Sequence, residues 1–242
     1  MQTQVLAFGV HPDDVELGCG GVLISEKKQG KTTGVIDITQ GELGTRGSAE
    51  TRAHEAAAAA KILGLDVRDN LALADGFFEN NEASQKKVIS AIRKYRPEIV
   101  ICNAPEDRHP DHGRSSALVY DAAFLSGLAK IETSDNGKKQ EQWRPKYVLN
   151  YIQDRYLKPD FVVDISDSFD QKIEAVKAYK TQFFNPGLDE PQTYISSPEF
   201  LEGIVARAAM FGKMIGVKYA EGFVTKKMIG IANLNALVRR DT

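Results

Sequence analysis

Cysteine is nearly absent. The 242 residues hold two, Cys19 and Cys102, in neither a CxxC pair nor a disulfide-like pattern. That excludes a disulfide scaffold and reads as a protein of the reducing cytoplasm. No apolar run reaches the roughly 18 to 20 residues needed to span a bilayer. The N-terminus lacks the basic segment of a signal peptide and runs straight into a strand-like stretch. An excess of one charge is also missing: 31 Lys plus Arg against 33 Asp plus Glu leave a formal net charge of −2. A near-neutral chain has neither the broad basic surface of a nucleic-acid binder nor the polybasic segment of a membrane-surface protein. Histidine is scarce, at four residues, and three of them fall in two short segments.

What is present is the pattern of an α/β protein. Gln4–Val10, Thr33–Thr39, a stretch near Asn70–Leu73, Glu98–Asn103, Tyr147–Ile152 and Phe161–Ile165 read as strands. Helices are expected over Gly18–Gln29, Ser48–Leu63 (capped by Ser48 and closed by Gly64), Ala83–Tyr95, Gly113–Leu125, Asp167–Gln182 and Pro198–Phe211. Ser126–Pro145 is polar and reads as an exposed excursion. Strands alternating with helices imply a Rossmann-like three-layer sandwich, a mostly parallel sheet flanked by helices. With no internal repeat and no linker, residues 1–242 are expected to form a single domain.

Two segments carry chemistry. His11-Pro12-Asp13-Asp14 follows the first strand, and Arg108-His109-Pro110-Asp111-His112 follows the strand ending near Asn103. Ligands of open α/β sheets bind beyond the carboxyl ends of the strands, where both segments fall. His11, Asp14 and His112 form a candidate metal set. Two imidazoles and a carboxylate leave a position open for water, as in catalytic zinc sites. Asp13 is then a general base beside that water. His109, held by Asp111, is a candidate protonated partner for an oxyanion or a leaving amine. Taken alone, an Asp-Asp pair after a strand is usually a helix N-cap and a His-Pro usually a turn; two such segments together are hard to explain that way.

At these residues the sequence resembles the LmbE-like (PIG-L) family of zinc-dependent de-N-acetylases, whose pattern is a His-Pro-Asp-Asp near the N-terminus and a later His-Pro-Asp-His. The resemblance implies hydrolysis of the acetyl group from an N-acetylated amino sugar, with the roles just given. It implies Zn2+ as the cofactor, although two His and one carboxylate also suit Fe2+. It is strongest toward the subgroup acting on N-acetylglucosaminyl-malate in bacillithiol synthesis, on Gly41–Gly47, Thr51–Glu55, Asp107–His112, Thr193–Ser196 and Lys218–Phe223. It further implies that Arg52 grips the malate carboxylates, that Tyr194 is a mobile active-site residue, and that the chain is a homo-oligomer. The readings of Arg52 as a water-exposed helix residue and Tyr194 as a core-edge side chain stand beside these. His54 and the two cysteines read as structural.

Three other readings compete. Gly18-Cys19-Gly20-Gly21 before a helix, with Asp37 on the next strand, suggests a dinucleotide site, but the third glycine position holds Leu23 and the glycines start well after the strand ends. A metal-bound sugar-binding module without turnover would have no use for Asp13. A chitooligosaccharide, another glycoside or a thiol conjugate would suit the same machinery as substrate.

Overall fold

In a computed structural model, residues 2–187 and 189–238 are described. The first half alternates strand and helix: β1 (Val5–Gly9), α1 (Asp14–Lys28), β2 (Thr33–Thr39), α2 (Ala49–Leu63), β3 (Val67–Leu73), α3 (Glu82–Tyr95), β4 (Ile99–Cys102) and α4 (Pro110–Leu125). A small hairpin, β5 (Ser134–Asp135) with β6 (Lys138–Lys139), lies in the polar excursion. Then come β7 (Tyr147–Tyr151), β8 (Phe161–Asp164), α5 (Phe169–Lys177), α6 (Pro198–Ile215) and β9 (Ala220–Val224).

The main sheet has seven strands in the order β3-β2-β1-β4-β7-β9-β8. Its first five strands are parallel. β9 inserts antiparallel between β7 and β8. Side-chain alternation along β1 divides the core between two faces. Leu6, Phe8 and Val10 pack with Val88, Ile89 and Ile92 of α3 and with Leu118, Val119 and Ala122 of α4. Val5 and Ala7 pack with Val15, Val22 and Leu23 of α1, Phe169 of α5 and Ala208 of α6. The expected three-layer sandwich is therefore found. Each fully buried aliphatic side chain contributes about 1.5–3 kcal/mol.

Helix ends follow local chemistry where the sequence supplies it. Ser48 caps α2 by accepting the Thr51 N–H, and Gly64 closes the helix in the left-handed region at φ 70°. α1 departs from expectation. It starts at Asp14, four residues before the expected Gly18, and kinks at Cys19 (φ −146°, ψ 17°). The amides of Gly21 and Val22, freed by the kink, donate to the Glu221 carboxylate of β9, and Lys172 Nζ of α5 lies 2.5 Å from Glu221 Oε1. β9 is absent from the sequence expectation. The α1 glycines serve close packing: a Cβ at Gly18 would lie 2.1 Å from the Tyr151 ring, and one at Gly21 would lie 2.8 Å from Ile165. That accounts for the Gly18–Gly21 cluster without a dinucleotide.

Candidate active site

The carboxyl ends of β1 and β4 are neighbours in the sheet, so the turns leaving them meet. Asn103, just past β4, ties them together. Its Oδ1 accepts the Val10 N–H at 3.1 Å and its Nδ2 donates to Asp14 Oδ2 at 3.1 Å. Asp14 Oδ2 also accepts the His11 backbone N–H at 3.0 Å, and Gln153 Nε2 donates to Oδ1 at 2.7 Å. The Asp14 carboxylate is thereby fixed at the foot of α1.

The two imidazoles face it. His11 Nδ1 lies 3.6 Å from Asp14 Oδ2, and His112 Nε2 lies 3.3 Å from Asp14 Oδ1. One donor atom from each of His11, Asp14 and His112 lies within 4.8 Å of the others. The far nitrogen of each ring is held by a further carboxylate. His11 Nε2 is 2.9 Å from Asp75 Oδ1, and His112 Nδ1 is 2.7 Å from Asp107 Oδ2. A carboxylate behind each imidazole is the outer arrangement that orients metal-binding histidines. The donor set, three inward-facing atoms of two imidazoles and a carboxylate, fits a divalent transition ion. Asp75 and Asp107 have no assigned role in the sequence reading. Asp75 lies 64 positions from His11, beyond any local spacing rule, whereas Asp107 stands within the Asp107–His112 stretch quoted above.

Electrostatics agrees with this geometry. Burial lowers the pKa of both rings, but carboxylates outweigh it: Asp14 and Asp75 bring His11 to about 9, and Asp14 and Asp107 bring His112 to about 10. Asp14 resists its own burial and stays well below the ordinary carboxylate range beside the two rings. The protein without metal thus meets its cluster of carboxylates with protons on the two imidazoles.

Asp13 stands beside this group, buried, with its backbone at φ 137° and ψ −26°. That region is strained for a residue with a Cβ, and such strain persists where the surroundings impose it, often at functional sites. Arg52 of α2 holds the side chain. Its Nη2 donates to Asp13 Oδ2 at 3.0 Å and to the Pro12 carbonyl at 2.7 Å. Gly41 (φ 66°) makes room for the guanidinium, since a Cβ there would lie 2.1 Å from Arg52 Nη1. Burial pushes the Asp13 carboxyl up, Arg52 pulls against it, and the balance stands at about 7. Arg52 is only 4% exposed, which corrects its reading as a water-exposed helix residue. Its guanidinium is engaged by Asp13 and the Pro12 carbonyl at the wall of the cavity.

His109 is the N-cap of α4, which begins at Pro110, three residues before the expected Gly113. Its Nδ1 accepts the Asp111 backbone N–H at 3.3 Å, so a neutral ring carries its proton on Nε2. Burial and the neighbouring His11 and His112 lower its pKa. That shift favours the neutral ring, with Nε2–H free to donate, over the protonated partner expected. The Asp111 side chain does not hold His109 as expected: it accepts from Gly76 N at 2.9 Å and Arg114 Nη1 at 2.7 Å. Tyr194 sits on the rim, 57% exposed, its hydroxyl donating to Asp154 Oδ1 at 3.1 Å and its ring under the Arg108 guanidinium at 4.3 Å. His11, Asp13, Asp14, His109, His112 and Tyr194 line one cavity of about 460 Å³, with Leu43 and Phe77 at its exposed edge.

The PIG-L family model, described as GlcNAc-PI de-N-acetylase, matches residues 6–123, a span containing both motif segments. A conserved protein of Thermus thermophilus superposes with a TM-score of 0.84 and 36% identity, covering 96% of this chain and 98% of its own. The chain belongs to the PIG-L family. A diacetylchitobiose deacetylase of Thermococcus kodakarensis is 29% identical over 230 residues, 90% of this PIG-L chain and 81% of the relative. A Bacillus subtilis protein described as a probable N-acetyl-alpha-D-glucosaminyl L-malate deacetylase is 25% identical over 199 residues, 75% of this chain and 84% of the relative. The relative named for the L-malate conjugate is thus the more distant of these two, contrary to the subgroup expectation. Among the described residues, no helix is long and apolar enough to cross a membrane.

Proposed function

We propose that the chain is a metal-dependent deacetylase that hydrolyses the acetamide of an N-acetylglucosamine conjugate. One observation carries this reading: the inward-facing donors of His11, Asp14 and His112 converge beside a strained, buried Asp13 whose carboxyl stands near 7. A divalent cation held by those three side chains, taken as Zn2+ with Fe2+ as a second candidate, would polarise the amide carbonyl and activate water. Arg52 occupies Asp13 Oδ2 and leaves Oδ1 to accept the proton of the attacking water. That proton passes from Asp13 to the departing nitrogen as the C–N bond breaks, giving acetate and the free amine. His109, neutral with Nε2–H, donates a hydrogen bond to the carbonyl oxygen as it gains charge. Asp75 and Asp107 keep the two imidazoles aimed.

The finer reading takes N-acetylglucosaminyl-malate as the substrate. Arg108 and Tyr194 on the rim support a polar aglycone. The relative named for diacetylchitobiose matches more of the chain, which makes the neutral disaccharide the rival substrate. The test is acetate release from N-acetylglucosaminyl-malate, diacetylchitobiose and N-acetylglucosamine, with and without a chelator. Release abolished by chelation and restored by metal supports the reading. Unchanged release in chelator, or none from any substrate with metal bound, contradicts it.

A further inference from the structure

Four arginines line the cavity, and three are already engaged. Arg46 Nε lies 3.2 Å from Glu190 Oε2, Arg52 holds Asp13, and Arg108 Nε lies 2.9 Å from Asp154 Oδ2. Arg207 of α6 differs. Among the described residues it makes no ion pair, and its one hydrogen bond is a long one, Nη2 to the Leu17 carbonyl at 3.5 Å. Lys172 Nζ already donates to that same carbonyl at 2.9 Å. Burial lowers the Arg207 pKa against the nearby Asp154, Asp107 and Glu221. Those three carboxylates are committed elsewhere: Asp154 to Arg108 and Tyr194, Asp107 to His112 and the Arg155 amide, Glu221 to Lys172 and the α1 amides. The guanidinium is part-buried and no described carboxylate touches it directly, so it is only partly compensated for the water it has lost, and an anion delivered by a ligand would offset that cost.

We infer that Arg207 is a specificity-determining residue that receives a carboxylate on the aglycone of the substrate. The inference rests on the deacetylase reading and deepens it. Leu17 lies one helical turn beyond Asp14 on α1, so Arg207 borders the metal group without touching it. A substrate whose acetamide lies at His11, Asp14 and His112 would direct its distal end along this wall. A single carboxylate suits the site better than a phosphate dianion: one planar guanidinium pairs with it bidentately, and the acidic neighbours weaken any field that a doubly charged group would need. The arrangement favours carboxylate-bearing glycosides over neutral disaccharides.

The experiment uses the full metal-loaded chain as wild type, Arg207→Gln and Arg207→Lys. KM and kcat for acetate release are measured on N-acetylglucosaminyl-malate and on diacetylchitobiose, and L-malate binding is followed by calorimetry. Arg207→Gln should raise KM for the carboxylate substrate about tenfold or more relative to its effect on the neutral one, as expected for loss of a charged hydrogen bond, with kcat changed less. L-malate binding should weaken in parallel, and Arg207→Lys should keep more of the carboxylate preference than Arg207→Gln. Equal KM changes on both substrates, or equal L-malate affinity in wild type and Arg207→Gln, overturn the inference while leaving the deacetylase reading intact. Loss of L-malate affinity in Arg207→Gln, with wild type releasing acetate from neither substrate, would retain the anion site and overturn the deacetylase reading.

Discussion

Arg52 Nη2 lies 3.0 Å from Asp13 Oδ2, and both side chains are almost wholly buried. With Asp13 as the proposed base, the pair would couple turnover to pH. Burial raises the Asp13 carboxyl and Arg52 draws it down, so removing the guanidinium leaves the raising influence less opposed. A base acts only when deprotonated, so the rate falls as pH drops through its pKa. The acid limb of kcat/KM should therefore move to higher pH in Arg52→Ala than in wild type. An acid limb unmoved or shifted to lower pH would separate Arg52 from the base.

Among the described residues, Asp13 is not part of the His11, Asp14 and His112 donor group. Asp13→Ala should keep stoichiometric metal and lose about 10²- to 10⁴-fold in kcat, the usual share of a positioned base. Metal content by elemental analysis and turnover on the same preparation decide this. A variant retaining most of its activity assigns the base elsewhere.

The outer carboxylates make a separate prediction. Asp75→Asn and Asp107→Asn keep shape but remove the charge behind His11 and His112. Each should weaken metal affinity about 10- to 100-fold, the usual effect of losing such a partner. Competition with a chromophoric chelator measures it. Wild-type affinity in both variants would show that the carboxylates are ordinary hydrogen-bond partners.

Much of the frame is legible in the sequence because local chemistry dictates it. Thr33–Thr39 is a run of buried, mostly β-branched residues, and Ser48 with Gly64 brackets an alanine-rich helix. The missed features depend on distant parts of the chain. α1 starts at Asp14 because the strained Asp13 turn is held by Arg52, 39 residues away. Its kink at Cys19 is stabilised by Glu221 of β9, a strand whose acid and central glycine disguise it. The metal motif could be read from spacing, whereas Asp75 behind His11 comes from 64 positions away and could not, and the Asp111 side chain turns to Gly76 and Arg114 instead of His109.

The same long-range cap carries a stability prediction. Lys172→Met leaves the buried Glu221 without its cation, and breaking a buried pair from one side costs about 3–5 kcal/mol. Urea unfolding of the full chain reports it. A loss under about 1 kcal/mol would mean that the Gly21 and Val22 amides alone satisfy Glu221.

The central claim is one cation between His11, Asp14 and His112. In the metal-free protein His11 and His112 hold protons up to about pH 9 and 10, so binding at pH 7 must expel them and affinity must rise with pH. The most direct measurement is anomalous diffraction from crystals of the zinc-loaded protein grown near pH 8. The account predicts a single peak about 2.0–2.2 Å from His11 Nδ1, an Asp14 oxygen and His112 Nε2. A zinc peak at another position, or none between these three side chains, would contradict it.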